Sequence, residues 1–149
     1  MMISDREEIT FLFAKSLESL ADKDYEKSFE ILTKLYGVIG EEPKNVMPEI
    51  NLTCARVAAL LGNFDLAIGR ALLANEQIRT DPRRYPNPNG AYLRYFAKNM
   101  LDYCCSRSAD ESLLDILQSI DVRFDQIDQA NVSGNIKKIF NIERLAADA

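Results

Sequence analysis

The sequence predicts an all-α protein, and three observations support this prediction. Apolar residues recur three or four positions apart along most of the 149 residues, which is the spacing of one helix face. Capping boxes, which mark helix starts, occur at Ser4 with Glu7 and at Ser108 with Glu111. No segment forms a convincing strand, and only Thr80–Gly90 reads as a clear loop.

The first predicted hairpin covers about residues 5–40. The apolar stripe of its first helix consists of Ile9, Leu12, Phe13, Leu17 and Leu20. Its second helix starts near Asp24 and is ended by Gly37 and Gly40, because glycine commonly terminates helices, with Pro43 just beyond. The apolar residues of this second helix are Tyr25, Phe29, Leu32, Leu35 and Tyr36.

The second predicted hairpin covers about residues 46–79. The stripe of its first helix consists of Met47, Ile50, Cys54, Val57, Ala58 and Leu61. Gly62 and Asn63 break the pattern, and asparagine is a good N-cap for the helix that follows. Gly69 lies inside that fourth helix, where glycine lowers helix stability, so we predict that a neighbouring helix approaches it closely.

The third predicted hairpin covers about residues 91–129. It follows the loop because three prolines, two asparagines and a glycine within TDPRRYPNPNG exclude a helix there. The fifth helix carries Leu93, Phe96, Ala97, Met100, Leu101 and Cys104, and the sixth carries Leu113, Leu117, Ile120, Phe124 and Ile127. A seventh helix, about 134–147, caps a single domain that spans residues 1–149.

Composition narrows the possible functions. The formal net charge is -5 and the isoelectric point about 4.8, so we expect neither nucleic acid nor membrane as a partner. No apolar run is long enough to span a bilayer, and the N-terminus lacks a secretory signal pattern, so we expect a cytoplasmic protein. Histidine is absent, which removes the commonest general base; we expect no catalytic residues and no cofactor.

The cysteines agree with a reducing compartment. Cys54, Cys104 and Cys105 are odd in number and have no C-x-x-C spacing, so they do not form a disulfide framework. Three thiols without histidine are also a poor zinc ligand set. We therefore expect three free, structural thiols and no metal site.

Two segments of the chain repeat one another. Lys23–Phe29 parallels Gly62–Ile68: each reads as a tight turn, an aromatic residue, a small residue and then a large apolar one. The aromatic residues, Tyr25 and Phe64, lie 39 positions apart. The pattern is that of a helical hairpin, in which the small residue lets the two helices approach closely.

Residues 54–68 resemble the centre of a tetratricopeptide repeat. The residues that suit the pattern are Cys54, Ala55, Gly62, Asn63, Phe64, Ala67, Ile68, Ala71 and Ala74. In the first hairpin Ser16 and Ser28 stand in for the small residues and Lys23 for the glycine. The usual period is about 34 residues, so a generic helical bundle stays open as the alternative. The resemblance implies antiparallel hairpins stacked as a short right-handed solenoid of about seven helices.

The resemblance also implies a binding surface. In this family the first helices of successive hairpins line a concave groove that holds a peptide or a helix of a partner. Carried over onto this chain, the groove residues are Thr10, Phe13, Leu17, Glu49, Leu52, Arg56, Leu60, Arg94, Lys98 and Leu101. Arg56, Arg94 and Lys98 would hold carboxylates of the partner, the alternative being that they are ordinary solvated residues.

The loop is a second candidate surface, because Arg83, Arg84 and Tyr85 belong to residue types that are enriched at binding hot spots. We therefore expect a protein–protein interaction module, such as an adaptor or scaffold. One alternative is a bacterial type III secretion chaperone of the tetratricopeptide class, similar in length, charge and number of helix pairs. The other is a structural subunit that oligomerises, for example as a homodimer; an enzyme is the least supported class.

Overall fold

The computed structural model describes residues 5–40, 45–107, 118–120 and 127–140, and within these ranges every regular element is helical. This confirms the all-α prediction. The α-helices with defined bounds are α1 (Asp5–Ala21), α2 (Tyr25–Ile39), α3 (Pro48–Leu60), α4 (Phe64–Arg79), α5 (Asn89–Cys105) and α6 (Gly134–Ile139). A 3-10 turn, Gln129–Asn131, precedes α6. None of the helices described is long and apolar enough to cross a lipid bilayer.

Parts of two predicted elements lie outside the described residues. The predicted sixth helix, with the second half of the third hairpin, falls mostly on residues 108–117 and 121–126, which lie outside the described ranges. Residues 118 and 119 are helical, but Ile120 and Ile127 are not, so the prediction of a helix through these two residues is wrong. The predicted capping helix, about 134–147, is observed over Gly134–Ile139 and ends there, because Phe140 has non-helical backbone angles; residues 141–149 lie outside the described ranges. A count of seven helices therefore stays a prediction.

The turns of the first two hairpins share one backbone geometry. Asp24 and Asn63 have φ/ψ angles of -89°/76° and -88°/77°, and each side chain accepts a hydrogen bond from the N–H three residues later. The residues before them, Lys23 and Gly62, both have positive φ, at 61° and 83°. The predicted parallel between the two segments is confirmed at these turns.

Small residues at equivalent positions are buried where the hairpin helices pack. Ser16 and Ser28 have no exposed surface, and neither do Ala55 and Ala67, which lie 39 positions later. The Ser28 hydroxyl donates a hydrogen bond to the Ser16 carbonyl oxygen at 2.8 Å, which satisfies a polar group that would otherwise be buried alone. The two hairpins thus use the same close approach, with serine in one and alanine in the other.

The buried side chains form two clusters, and α3 contributes to both. The first cluster joins α1 and α2 to one side of α3 and contains Leu20, Leu32, Leu35, Tyr36, Val46, Ile50, Cys54 and Val57. The second joins the other side of α3 to α4, α5 and the C-terminal residues, with Leu52, Phe96 and Phe140 among its members. Eleven of the thirteen residues of α3 are buried, so this helix is covered on nearly all sides.

Two glycines differ in what surrounds them. A Cβ atom at Gly90 would overlap the carbonyl oxygen of Tyr85, so the loop before α5 packs tightly against the start of that helix. A Cβ atom at Gly69 would meet nothing within 4 Å, and this residue is exposed. The expectation that a neighbouring helix approaches Gly69 is therefore wrong, because α4 turns this position toward solvent.

We expect Gly90→Ala to lower the free energy of unfolding by about 1–3 kcal/mol, because the added methyl group must displace a backbone carbonyl. Gly69→Ala is the matched control and should raise it by about 0.5–1 kcal/mol, since it removes a glycine from an exposed helix interior. Urea unfolding followed by circular dichroism measures both. A midpoint for Gly90→Ala at or above that of the unmodified chain would contradict the packing of the loop on α5.

Candidate functional site

The C-terminal segment, which we define as Ser133–Phe140, lies against α3 and α5. The Arg56 guanidinium of α3 donates a hydrogen bond to the carbonyl oxygen of Ile139 at 3.4 Å. The Tyr92 hydroxyl of α5 donates one to the carbonyl oxygen of Phe140 at 2.7 Å. At the other end of the segment, the Asn89 side-chain oxygen accepts the backbone N–H of Ser133 at 3.0 Å. These side chains of the helical body therefore bind main-chain atoms of the segment.

One aromatic side chain anchors the same segment. The ring of Phe140 is almost completely buried, and its centroid lies 5.3 Å from that of Phe96 on α5, with the planes tilted by 58°. This geometry is favourable for a pair of aromatic rings. Ile136 and Ile139 pack against the same cluster and are partly buried. The segment is thus held by main-chain hydrogen bonds and one deep apolar anchor.

A cleft of about 490 Å³ lies between α1 and the C-terminal segment. The described residues that line it are Ala14, Leu17, Glu18, Leu20, Ala21, Arg56, Asn135 and Ile139. Its α1 wall is one stripe of that helix, because the lining positions recur three or four apart. Among the described residues, the lining is mostly small and apolar, with the polar side chains of Glu18, Arg56 and Asn135, and the volume is within the range of ligand sites.

Of the residues predicted on α1, Leu17 lines this cleft. Phe13 is half-buried and packs against the first cluster, and Thr10 is exposed, with its hydroxyl donating to the Arg6 carbonyl oxygen. Sequence reasoning missed Ala14 and Ala21, which share the α1 wall with Leu17. Their spacing around Leu17 is the signal that could have identified them.

The expectation that α3 exposes Leu52 and Arg56 in an open groove is wrong. Leu52 has no exposed surface and belongs to the second cluster, and Arg56 is 4% exposed beneath the C-terminal segment. Leu60, near the end of α3, is half-buried and touches both clusters. The physical reason is that α3 packs against other elements on two sides and is covered by the chain's own C-terminal segment on a third.

The predicted cationic surface of Arg56, Arg94 and Lys98 is not assembled. The Arg94 Nε atom donates to the side-chain oxygen of Asn75 on α4 at 3.0 Å, while Arg56 bonds to the C-terminal segment. Tyr92 and Phe96 of α5 contact the segment. Arg94 and Lys98 follow them by two positions each, and two positions correspond to a rotation of about 200° around the helix axis. Arg94 and Lys98 therefore lie on the far side of α5 from Arg56, and Leu101 is buried in the core.

The predicted loop surface is partly used within the chain. The Tyr85 hydroxyl donates to Glu49 Oε1 of α3 at 2.7 Å, so Glu49 binds the loop. Burial raises the pKa of the Tyr85 hydroxyl, and its hydrogen bond to the Glu49 carboxylate raises this pKa further. Arg83 and Arg84 are exposed, so their role in binding a partner stays a prediction.

A buried polar network that sequence reasoning missed connects α2, α3 and α4. The Tyr36 hydroxyl donates to the Asn51 side-chain oxygen at 2.7 Å, and the Asn51 amide nitrogen donates to Gln77 at 2.9 Å. The Gln77 amide nitrogen donates to the Val46 carbonyl oxygen at 2.8 Å. These bonds satisfy polar groups inside the core, so the network has a structural explanation.

The cysteines are buried free thiols, as expected. Burial raises the pKa of Cys54 and raises that of Cys104 to about 12, which keeps both in the unreactive thiol form. In the part of the chain that the structure describes, no group of three or more Cys, Asp or Glu side chains is placed to hold a metal ion.

Comparison of the chain with known proteins finds no matching family model, no matching curated protein and no matching solved structure. The tetratricopeptide resemblance therefore rests on the residues of the second hairpin. The side chains that line the cleft beside α1 are therefore the evidence for what it binds.

Proposed function

We propose that this chain is a protein–protein interaction module that holds a segment of a partner protein in the cleft between α1 and the C-terminal segment. The observation that supports this most directly is the cleft itself, about 490 Å³ in volume and bordered by a peptide segment docked on α3 and α5. The proposal includes a cytoplasmic location and a stacking of the hairpins as a short right-handed solenoid of the tetratricopeptide kind.

The chemistry of the cleft favours a peptide as its occupant. Ala14, Leu17 and Ala21 leave room for apolar side chains of a partner, and their burial on binding would be favourable. Glu18 is exposed and offers an acceptor for main-chain or polar groups at the border of the same cleft. A net charge of -5 disfavours a polyphosphate partner.

A bacterial secretion chaperone is a narrower form of this proposal, favoured by the size, the acidity and the apolar cleft. An oligomerising subunit is the competing proposal. It is favoured by Phe11 of α1, which is 59% exposed and whose ring centroid lies 5.6 Å from the Lys15 ammonium. A monomeric mass for the purified protein in solution would contradict the oligomerising subunit, because that role requires a second copy.

The partner is to be obtained by photo-crosslinking in the cells of origin. A benzophenone amino acid at position 18 lies at the cleft, and the same amino acid at position 34 lies on an exposed part of α2 that does not line it. Mass spectrometry identifies proteins captured from position 18 and not from position 34. A partner captured equally from both positions would contradict the assignment of the cleft.

We expect Ala14→Phe to weaken binding of that partner by at least roughly tenfold, because the larger side chain occupies the cleft and removes an anchoring contact of about 1–2 kcal/mol. Stability should change little, since Ala14 is exposed. Lys34→Phe adds the same side chain at an exposed site on α2 and is the matched control. Calorimetric titration measures both affinities, and equal values for the two variants would place the binding site elsewhere.

A further inference from the structure

The docked C-terminal segment shows which features of a peptide this surface recognises. Arg56, Tyr92 and Asn89 all bind main-chain atoms of the segment. Main-chain atoms are present in every peptide, so these contacts do not require the sequence of this particular segment. The contact that depends most on side-chain identity is the ring of Phe140 against Phe96.

Arg56 binds the segment through a main-chain atom. Its side chain is 4% exposed in the interior of α3, and burying a guanidinium group is unfavourable unless its hydrogen bonds are satisfied. Arg56 donates to the carbonyl oxygen of Ile139, the last residue of α6, and the last carbonyl groups of a helix have no partner within the helix. A peptide carbonyl at the same position would accept the same bond.

The segment itself has little intrinsic structure to hold it in place. Its helix, α6, has six residues, and an isolated helix of that length is unstable in water. Asn135 and Ile139 of the segment form the wall of the cleft opposite α1. A partner peptide seated against α1 would therefore meet the segment directly.

We propose that the C-terminal segment is an intramolecular competitor of the partner. It forms one wall of the cleft and covers a peptide-binding surface on α3 and α5; the partner, bound against α1, displaces it and extends onto that surface. The displacing peptide presents two consecutive carbonyl oxygens to Arg56 and Tyr92, and an aromatic side chain to Phe96. This inference rests on the proposed function and adds to it the chemistry of the partner and the means by which its access is regulated.

The test uses the full-length chain and a fluorescein-labelled peptide of residues 131–142, NVSGNIKKIFNI. The Phe140→Ala chain should bind this peptide at least tenfold more tightly than the unmodified chain, because its own segment has lost the aromatic anchor. A peptide with alanine in place of Phe140 should not bind. Adding Tyr92→Phe to the Phe140→Ala chain should weaken peptide binding severalfold. Equal binding by the unmodified and Phe140→Ala chains, or binding by neither, would overturn the inference.

Hydrogen exchange on the unmodified chain tests the same inference without any substitution. Backbone amides of residues 134–140 should exchange at least 100-fold faster than those of α3 and α4, because the segment opens without unfolding of the body. Equal protection of both regions would show a permanent part of the core and would overturn the inference.

The two proposals fail in different experiments. Absence of peptide exchange, with Ala14→Phe still weakening partner binding, would overturn the competitor and leave the proposed function standing. Peptide exchange with no effect of Ala14→Phe on the partner would support the displaceable segment and contradict the cleft as the partner's site.

Discussion

Replacing Leu52 with alanine is expected to lower the free energy of unfolding by about 2–5 kcal/mol. The side chain has no exposed surface and lies where α3 contributes to the second cluster. Deleting three of its carbon atoms removes buried apolar contacts and leaves a cavity that the surrounding helices fill only in part. Urea unfolding monitored by circular dichroism gives the value directly.

Leu61→Ala is the control for this prediction. Leu61 is the C-cap of α3 and is 40% exposed, so the same change of side chain there should alter stability by less than about 1 kcal/mol. Similar midpoints for the two variants would mean that Leu52 is solvent-accessible, as the resemblance implied. That result would contradict the packing of α3 described above.

Phe96→Ala is also expected to have a large effect and should lower the free energy of unfolding by about 3–5 kcal/mol. Phe96 is completely buried in α5, and its ring is the partner of Phe140, so the substitution damages the core and also removes the anchor of the C-terminal segment. We therefore expect a second signature: in native conditions the segment becomes more susceptible to proteolysis than α3 and α4. Thermal or urea unfolding and limited proteolysis measure the two effects separately.

Phe11→Ala removes the same side chain from a site that is 59% exposed and should change stability by no more than about 0.5–1 kcal/mol. A comparable loss of stability in both variants would contradict the burial of Phe96. Unchanged proteolysis of the segment in Phe96→Ala would contradict its role as the anchor for Phe140.

Local signals in the sequence predicted the helical elements well. The first predicted helix is observed over Asp5–Ala21, whereas the prediction that Gly37 helps to end the second helix is wrong, because Gly37 lies inside α2. The end of α2 at Gly40 and the turn at Gly62 both follow from backbone angles that glycine adopts readily, with φ of 110° and 83°. The loop before α5 was predicted from its prolines. Each of these features depends on residues that lie within a few positions of one another in the sequence, so it can be predicted without knowledge of the tertiary structure.

The exposure of the groove residues was predicted less well, because it depends on which elements pack against each face of a helix. An apolar stripe indicates that one face of a helix is buried, but it does not show whether the opposite face is buried too. In α3 both faces are buried, and this placed Leu52 in the core and Arg56 beneath the C-terminal segment. The same limitation applies to Gly69, whose exposure depends on the absence of a neighbouring helix near α4.

By itself, the sequence determined that the described part of this protein is helical, approximately where the first five helices lie, and that two hairpin turns repeat; α5 begins at Asn89, inside the segment that was predicted as a loop. These properties arise from hydrogen bonds and steric preferences between residues close together in the chain. Only the tertiary structure decided that Arg56 binds the carbonyl of Ile139, that Arg94 binds Asn75, and that Ala14 borders an open cleft. Such contacts join residues up to 83 positions apart, and they form only when several helices pack together at once.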